Sequence, residues 1–133
     1  MALPGIGGGY QLGDGNGAEV NLYAQSAPQT AVATATLSAA QLFGGILVGG
    51  NGTTAASYTL PTVAVLEALA INARIDSAFE VIVINTGTST GAVTVVTNTG
   101  WTLVGSMVVA VTSSARFIAR KTDVGTWALY RAA

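Results

Sequence analysis

Residues 79–85 read Phe79-Glu80-Val81-Ile82-Val83-Ile84-Asn85. Phe79, Val81 and Val83 share one parity, and Glu80, Ile82 and Ile84 the other. Strict alternation of this kind puts alternate side chains on opposite faces of an extended chain, and β-branched residues favour that geometry. The stretch is a strand, and the sequence on both sides repeats the style. Downstream, Thr86–Gly91 is a Thr/Ser/Gly loop, Ala92–Thr97 is a second strand, and Trp101–Val104 and Met107–Val111 are two short strands around Gly105. Ala115–Lys121 and Thr126–Arg131 read as a hairpin over Thr122–Gly125. Upstream, Ala31–Leu37, Gly45–Val48 and Ala55–Leu60 are β-like, the last closed by Pro61. Two short helices interrupt them. Ser38-Ala39-Ala40-Gln41 has capping-box spacing and Gly44-Gly45 stops the turn it starts. Thr62 is suited to cap Thr62–Ala70, where Val65, Leu66, Leu69 and Ala70 fall at helical spacing with Glu67 on the other side.

Strands at intervals near 8–12 residues with Gly, Asn and Thr turns indicate an all-β fold. The expectation is a single β-sandwich or jelly-roll-like domain over 31–133, with one or two short helices and an extended N-terminal arm over 1–30. Its expected core is Leu60, Leu66, Leu69, Phe79, Val81, Val83, Val93, Val95, Leu103, Phe117 and Leu129. No fixed-period repeat is visible. The arm differs in composition, with glycines at 5, 7, 8, 9, 13, 15 and 17 and few large apolar residues. Tyr10, Leu12, Val20, Leu22 and Tyr23 are too few to form a core, yet larger than a spacer needs. They are the expected anchors of an arm that buries against something else.

The chain has 133 residues, one domain's worth, of which half are hydrophobic and 8% charged, against about 25% charged in ordinary soluble domains. High hydrophobicity with a net charge of −1 excludes a disordered chain. Five dispersed basic residues make no footprint for a nucleic-acid backbone. With no histidine and no cysteine, His-based general bases, Ser-His-Asp and Cys-His pairs, Cys/His zinc sites and disulfides are all excluded. The N-terminus has neither the basic start nor the apolar stretch of a secretory signal, and no apolar run approaches the length of a membrane span.

The remaining constellations carry little chemistry. Gly13-Asp14-Gly15-Asn16-Gly17-Ala18 fits a permissive dinucleotide pattern, but it lacks the strand before and the helix after that would present a pyrophosphate. Asp14-x-Asn16 opens like a calcium loop and then has Ala18, Glu19 and Gln25 where ligand, glycine and bidentate glutamate belong. Asp76 and Glu80 flank the start of one strand rather than facing across a cleft, and read as surface acids pairing with Arg74. Lys121 falls at a hairpin turn, a poor place for a buried amine. Asn51-Gly52-Thr53 has the form of a glycosylation sequon. Trp101, Trp127, Phe79 and Phe117 read as core, since a sugar platform needs exposed rings. Arg116, Ile118 and Arg120 share one strand face and are the expected subunit-contact patch. No catalytic residue, metal or cofactor is expected.

Several stretches together resemble the virion structural proteins of tailed bacteriophages. They are Gly8-Gly9-Tyr10-Gln11-Leu12-Gly13-Asp14-Gly15-Asn16 with Glu19-Val20 and Ala27-Pro28; Tyr58-Thr59-Leu60-Pro61-Thr62; Ala78-Phe79 through Val83-Ile84-Asn85; Gly100-Trp101-Thr102-Leu103-Val104-Gly105; Ser113-Ser114-Ala115-Arg116-Phe117 with Arg120-Lys121-Thr122; and Trp127-Ala128-Leu129-Tyr130-Arg131. The resemblance implies a capsid decoration (cement) or head-fibre protein, β-rich and trimeric, made in the host cytoplasm and seated on the outer surface of the shell. Its implied partners are the major capsid protein and its own copies, with no nucleic acid and no membrane. It supplies no catalytic residues. The alternative within the same group is a fibre module that binds a host receptor or carbohydrate. A sparsely charged chain fits either, because a symmetric oligomer hides surface that charge would otherwise keep soluble.

Overall fold

A computed structural model of the chain describes residues 22–133. Its first strands are short, β1 (Gln29–Thr30) and β2 (Ala35–Thr36), and lead into helix α1 (Ala39–Phe43). Strands β3 (Ile46–Gly49) and β4 (Ala56–Thr59) precede helix α2 (Val63–Leu69). There follow β5 (Ala78–Asn85), β6 (Val93–Val96), β7 (Trp101–Val104), β8 (Val108–Val109), β9 (Ser113–Asp123) and β10 (Thr126–Arg131). The fold is mainly β. A six-stranded sheet has the order β1-β3-β5-β9-β10-β7 and a four-stranded sheet the order β2-β4-β6-β8.

Both sheets are mixed. β1, β3 and β5 run parallel in one, and β2, β4 and β6 run parallel in the other. The chain therefore winds between the sheets three times, running along one, crossing by a loop, running along the other and returning. The first return carries α1 and the second carries α2. Register pairs Gln29 with Leu47 and Leu47 with Val83, so the second winding is twice as long as the first. That inequality is why the winding leaves no period in the sequence. Antiparallel pairing enters afterwards, through β9 against β5, the β9–β10 hairpin, and β8 against β6. β7 lies parallel to β10 at the sheet edge. Gln29 and Thr30 were assigned to the arm, yet they pair with β3, so the ordered ladder starts slightly before residue 31.

One buried cluster joins the sheets. Leu47, Val81, Val83, Phe117, Trp127 and Leu129 reach it from the six-stranded side. Ala56, Tyr58, Val93, Val95 and Val109 reach it from the four-stranded side, and Leu37, Leu42, Leu60, Val63 and Leu66 close it from helices and connections. Alternation in β5 holds as read, with Val81 and Val83 inside and Ile82 and Ile84 half-exposed outside. Phe79 and Leu103 sit at the margin of the core, partly buried.

The helices start where their caps require. Ser38 Oγ accepts from Gln41 N at 3.2 Å, and Gln41 Oε1 accepts from Ser38 N at 2.8 Å, a complete capping box. Thr62 Oγ1 accepts from Val65 N. The face of α2 differs from the expectation. Leu69 is 59% exposed and Val65 is also exposed, while Val63 and Leu66 are buried. A seven-residue helix touches the core along one narrow line, here the 63/66 line, and the 65/69 line falls outside it. Ala31–Leu37 is likewise less strand than expected. The strand is Ala35–Thr36 alone, with single backbone bonds from Ala31 N to the Val48 carbonyl and from Leu37 N to the Thr59 carbonyl on either side, and Val32 is exposed.

Candidate functional site

β9 sets out the outer face of the six-stranded sheet. Its period of two sends Ala115, Phe117 and Ala119 inward and Arg116, Ile118 and Arg120 outward. Cross-strand register places Arg116 beside Ile82, Ile118 between Glu80 and Tyr130, and Arg120 between Ala78 and Ala128. One strand further, Ile46 lies opposite Ile82 and Val48 opposite Ile84. Half-exposed Ile46, Val48, Ile82, Ile84 and Ile118 thus form a β-branched band on the outside of the sheet. Ion pairs flank it. Arg116 Nε donates to Glu80, and Arg120 Nη1 donates to Asp76 at 2.6 Å. Arg120 also donates to the Tyr130 hydroxyl at 2.9 and 3.2 Å and lies over its ring. The Tyr130 hydroxyl first, and Asp76 second, hold this guanidinium even above its usual range. The two acids were expected to pair with Arg74; they pair with β9 instead. Asp76 adopts a left-handed backbone (φ 73°), which Asp tolerates, just before β5 begins.

A second cluster lies where β5 starts. Lys121 Nζ donates to Glu67 Oε2, and Trp127 Nε1 donates to the same oxygen at 3.1 Å. The hydrogen bond from Lys121 holds the Glu67 carboxyl below the ordinary glutamate range, against the opposing effect of burial and with help from Trp127. Two expectations are corrected here. Glu67 faces the body rather than away from it, because it adjoins the 63/66 line. Lys121 is largely buried, its side chain 12% exposed, because it precedes the bulge of the hairpin and points inward with Ala119. The pair satisfies itself and ties α2 to the hairpin.

Beside this pair is a half-open cavity of about 310 Å³, lined mainly by Phe43, Leu69, Ile71, Ala73, Phe79 and Trp127. Its rings are in contact, with centroids 4.6 Å apart for Phe43–Phe79 and 5.7 Å for Phe79–Trp127. Sequence reading missed it because its walls come from four separate elements. The signal available was the pair of aliphatic residues, Leu69 and Ile71, around the end of a short helix.

Of the arm anchors, Tyr10, Leu12 and Val20 lie outside the described residues. Leu22 and Tyr23 are 87% and 85% exposed. Among the described residues ahead of β1, the side chains that hydrogen-bond to the body do so at Gly44: Gln25 Nε2 and Ser26 Oγ donate to its carbonyl at 2.6 and 3.3 Å.

Among the described residues no group of three or more acidic, His or Cys side chains is placed to hold a metal ion. No described helix is long and apolar enough to cross a membrane. Trp101 and Trp127 are buried, and Trp101 Nε1 donates to the Pro61 carbonyl at 2.7 Å. Comparison with protein-family models, with curated proteins and with solved structures gives no match.

Proposed function

We propose that this chain is a structural virion protein that decorates the outer surface of a tailed-bacteriophage capsid and stabilises it by bridging neighbouring major capsid subunits. Residues 1–30 are the gripping arm and 31–133 the body. We read the body's two sheets, which share one core, as a β-sandwich, and the working unit as a homotrimer. The observation that carries the reading is the exposed run ahead of β1. Leu22 and Tyr23 project into solvent from a segment that is hydrogen-bonded to the body at Gly44, and large apolar side chains displayed this way are suited to burial against a partner. The protein is not an enzyme in this reading and takes no cofactor. Its partners are the major capsid protein and its own copies, with no nucleic acid and no membrane. The basic side chains on β9 support the exclusion of nucleic acid, because Arg116, Arg120 and Lys121 are each engaged by a carboxylate.

The alternative, a fibre module recognising a carbohydrate, needs exposed aromatic rings on the body. Burial of both tryptophans weighs against it. Copy number in purified virions tests the choice. Hundreds of copies per particle are expected for a shell decoration; a handful would give the chain to a fibre or tail and end the decoration reading.

A further inference from the structure

The cavity beside α2 has the lining of a site for a small flat molecule. Phe43, Phe79 and Trp127 form one wall, a run of rings in which Phe79 touches both of the others. The indole nitrogen of Trp127 is already engaged by Glu67, so that ring adds no unmet polar group to the wall. Leu69 and Ile71 stand on the rim, 59% and 79% exposed. Among the described residues no charged side chain lines the cavity, and its polar side chains are Asn72 and Ser77. Ser77 Oγ accepts from the backbone N–H of Arg74 at 2.8 Å, which leaves the hydroxyl proton for a further acceptor.

We propose that this cavity binds a small uncharged aromatic molecule of about two fused rings bearing one hydrogen-bonding group. Volume sets the ring count. A closed apolar cavity of about 150 Å³ takes benzene. This one holds about 310 Å³ and is half-open, which is room for about twice as much. The wall sets the class. Its rings meet at interplanar angles of 49° and 58°, so an added ring finds both faces and edges, the contacts in which aromatic pairs attract beyond the area they bury. The lining excludes charge, because an ion would lose its hydration here and meet no partner. One polar group is accommodated, by the Ser77 hydroxyl. The site goes beyond the decoration reading and is independent of it, since it needs neither a capsid nor a second copy.

Three probes and the full chain test it: naphthol, its saturated counterpart decalol, and naphthoate, which keeps the rings and adds a charge. Naphthol is expected to bind saturably by calorimetry, with a Kd of about 1 mM or tighter. Decalol should bind about three- to tenfold more weakly for want of ring contacts, and naphthoate at least about tenfold more weakly. Nuclear magnetic resonance locates the probe. Trp127 lines the cavity and Trp101 does not, so the Trp127 indole N–H signal should move with naphthol and saturate at the same Kd. Leu69→Ser with Ile71→Ser, both on exposed rim positions, should weaken naphthol about tenfold. Val108→Ser with Val124→Ser, exposed elsewhere, should leave it within about twofold. No saturable binding, a Trp127 signal that stays still, or naphthoate binding as tightly as naphthol overturns the proposal. A fall in mass by light scattering as naphthol is added would give the cavity to a neighbouring copy and equally overturn it.

Discussion

The two ends of β5 are closed by opposite means. At the Asn85 end, backbone meets backbone. Asn85 is buried and donates to the carbonyls of Gly91, Val109 and Ala110 at 3.0–3.2 Å, while its Oδ1 accepts from Gly87 N at 2.8 Å. A Cβ on Gly91 would stand 2.2 Å from the Gly52 carbonyl oxygen, so only glycine fits. Tyr58, whose hydroxyl accepts from Gly50 N and donates to the Ala31 carbonyl, fills the space beside it. At the Ala78 end, side chains meet side chains, and the fit is looser: an ion pair, three touching rings and a cavity. Small residues with a single polar hub seal a surface completely. Large residues from four elements leave room, and room is what a binding site needs.

Breaking the sealed end should do the most damage. Asn85→Ala takes the side-chain partner from the Gly91 and Val109 carbonyls and the Gly87 N–H in a buried place, while the Ala110 carbonyl keeps the Ser113 hydroxyl, and is expected to cost about 3–5 kcal/mol. Urea unfolding measures it, as a fall in midpoint with an unchanged slope. A loss below about 1 kcal/mol would mean that water replaces the amide and the end is not sealed.

The open end should yield less per side chain. Phe79→Ala removes a ring at the margin of the core and is expected to cost about 1–2 kcal/mol, against about 3–5 for the fully buried Phe117→Ala in the same sheet. Equal losses would show that the cavity wall is as tightly packed as the centre.

Electrostatics sharpen the contrast further, through Glu67. Its carboxyl titrates lower in the folded chain than in the unfolded one. The stabilisation is therefore complete at pH values above the unfolded pKa and lost as pH falls through the folded pKa. Glu67→Gln should cost about 1 kcal/mol at neutral pH, reduced by the partial exposure of the pair, and almost nothing in strong acid. Stability curves against pH for the two proteins should converge on the acid side; parallel curves would remove Glu67 from the acid limb.

Much of the fold was legible because strand periodicity is local. Val81 and Val83 needed only their neighbours to be placed inside, and Ser38 and Gln41 only each other to start α1. What local pattern did not contain was partnership. Tyr58 and Leu47 are buried because windings far apart in sequence stack, and no period announced the stacking. Helical spacing proposed Leu69 for the core, but which line of a two-turn helix touches the body is decided by where its neighbours stand. Arg116, Ile118 and Arg120 were legible as one face, whereas Ile46 and Val48, which complete that face, arrive from a parallel strand some seventy positions earlier. The cavity was the least legible feature, being made of what four elements leave unfilled.

The smallest effect on the fold belongs to the outer face, and it says most about assembly. Ile118 stands between Glu80 and Tyr130 at the edge of the half-exposed band, one row from Ile82. A lysine there extends over the sheet and meets the Glu80 carboxylate across the strand pair, an arrangement that favours the single chain. Ile118→Lys is therefore expected to change unfolding stability, measured on dilute protein, by no more than about 0.5 kcal/mol. The same lysine in the centre of an apolar subunit contact would be desolvated, and three copies would bring three such charges to the symmetry axis or to each of three interfaces. If Arg116, Ile118 and Arg120 form the contact of a homotrimer, light scattering should give a mass of three chains for the parent and one chain for the variant at micromolar concentration. A three-chain mass in both would move the contact off this face. A one-chain mass in both would remove the trimer and leave the band free for another partner.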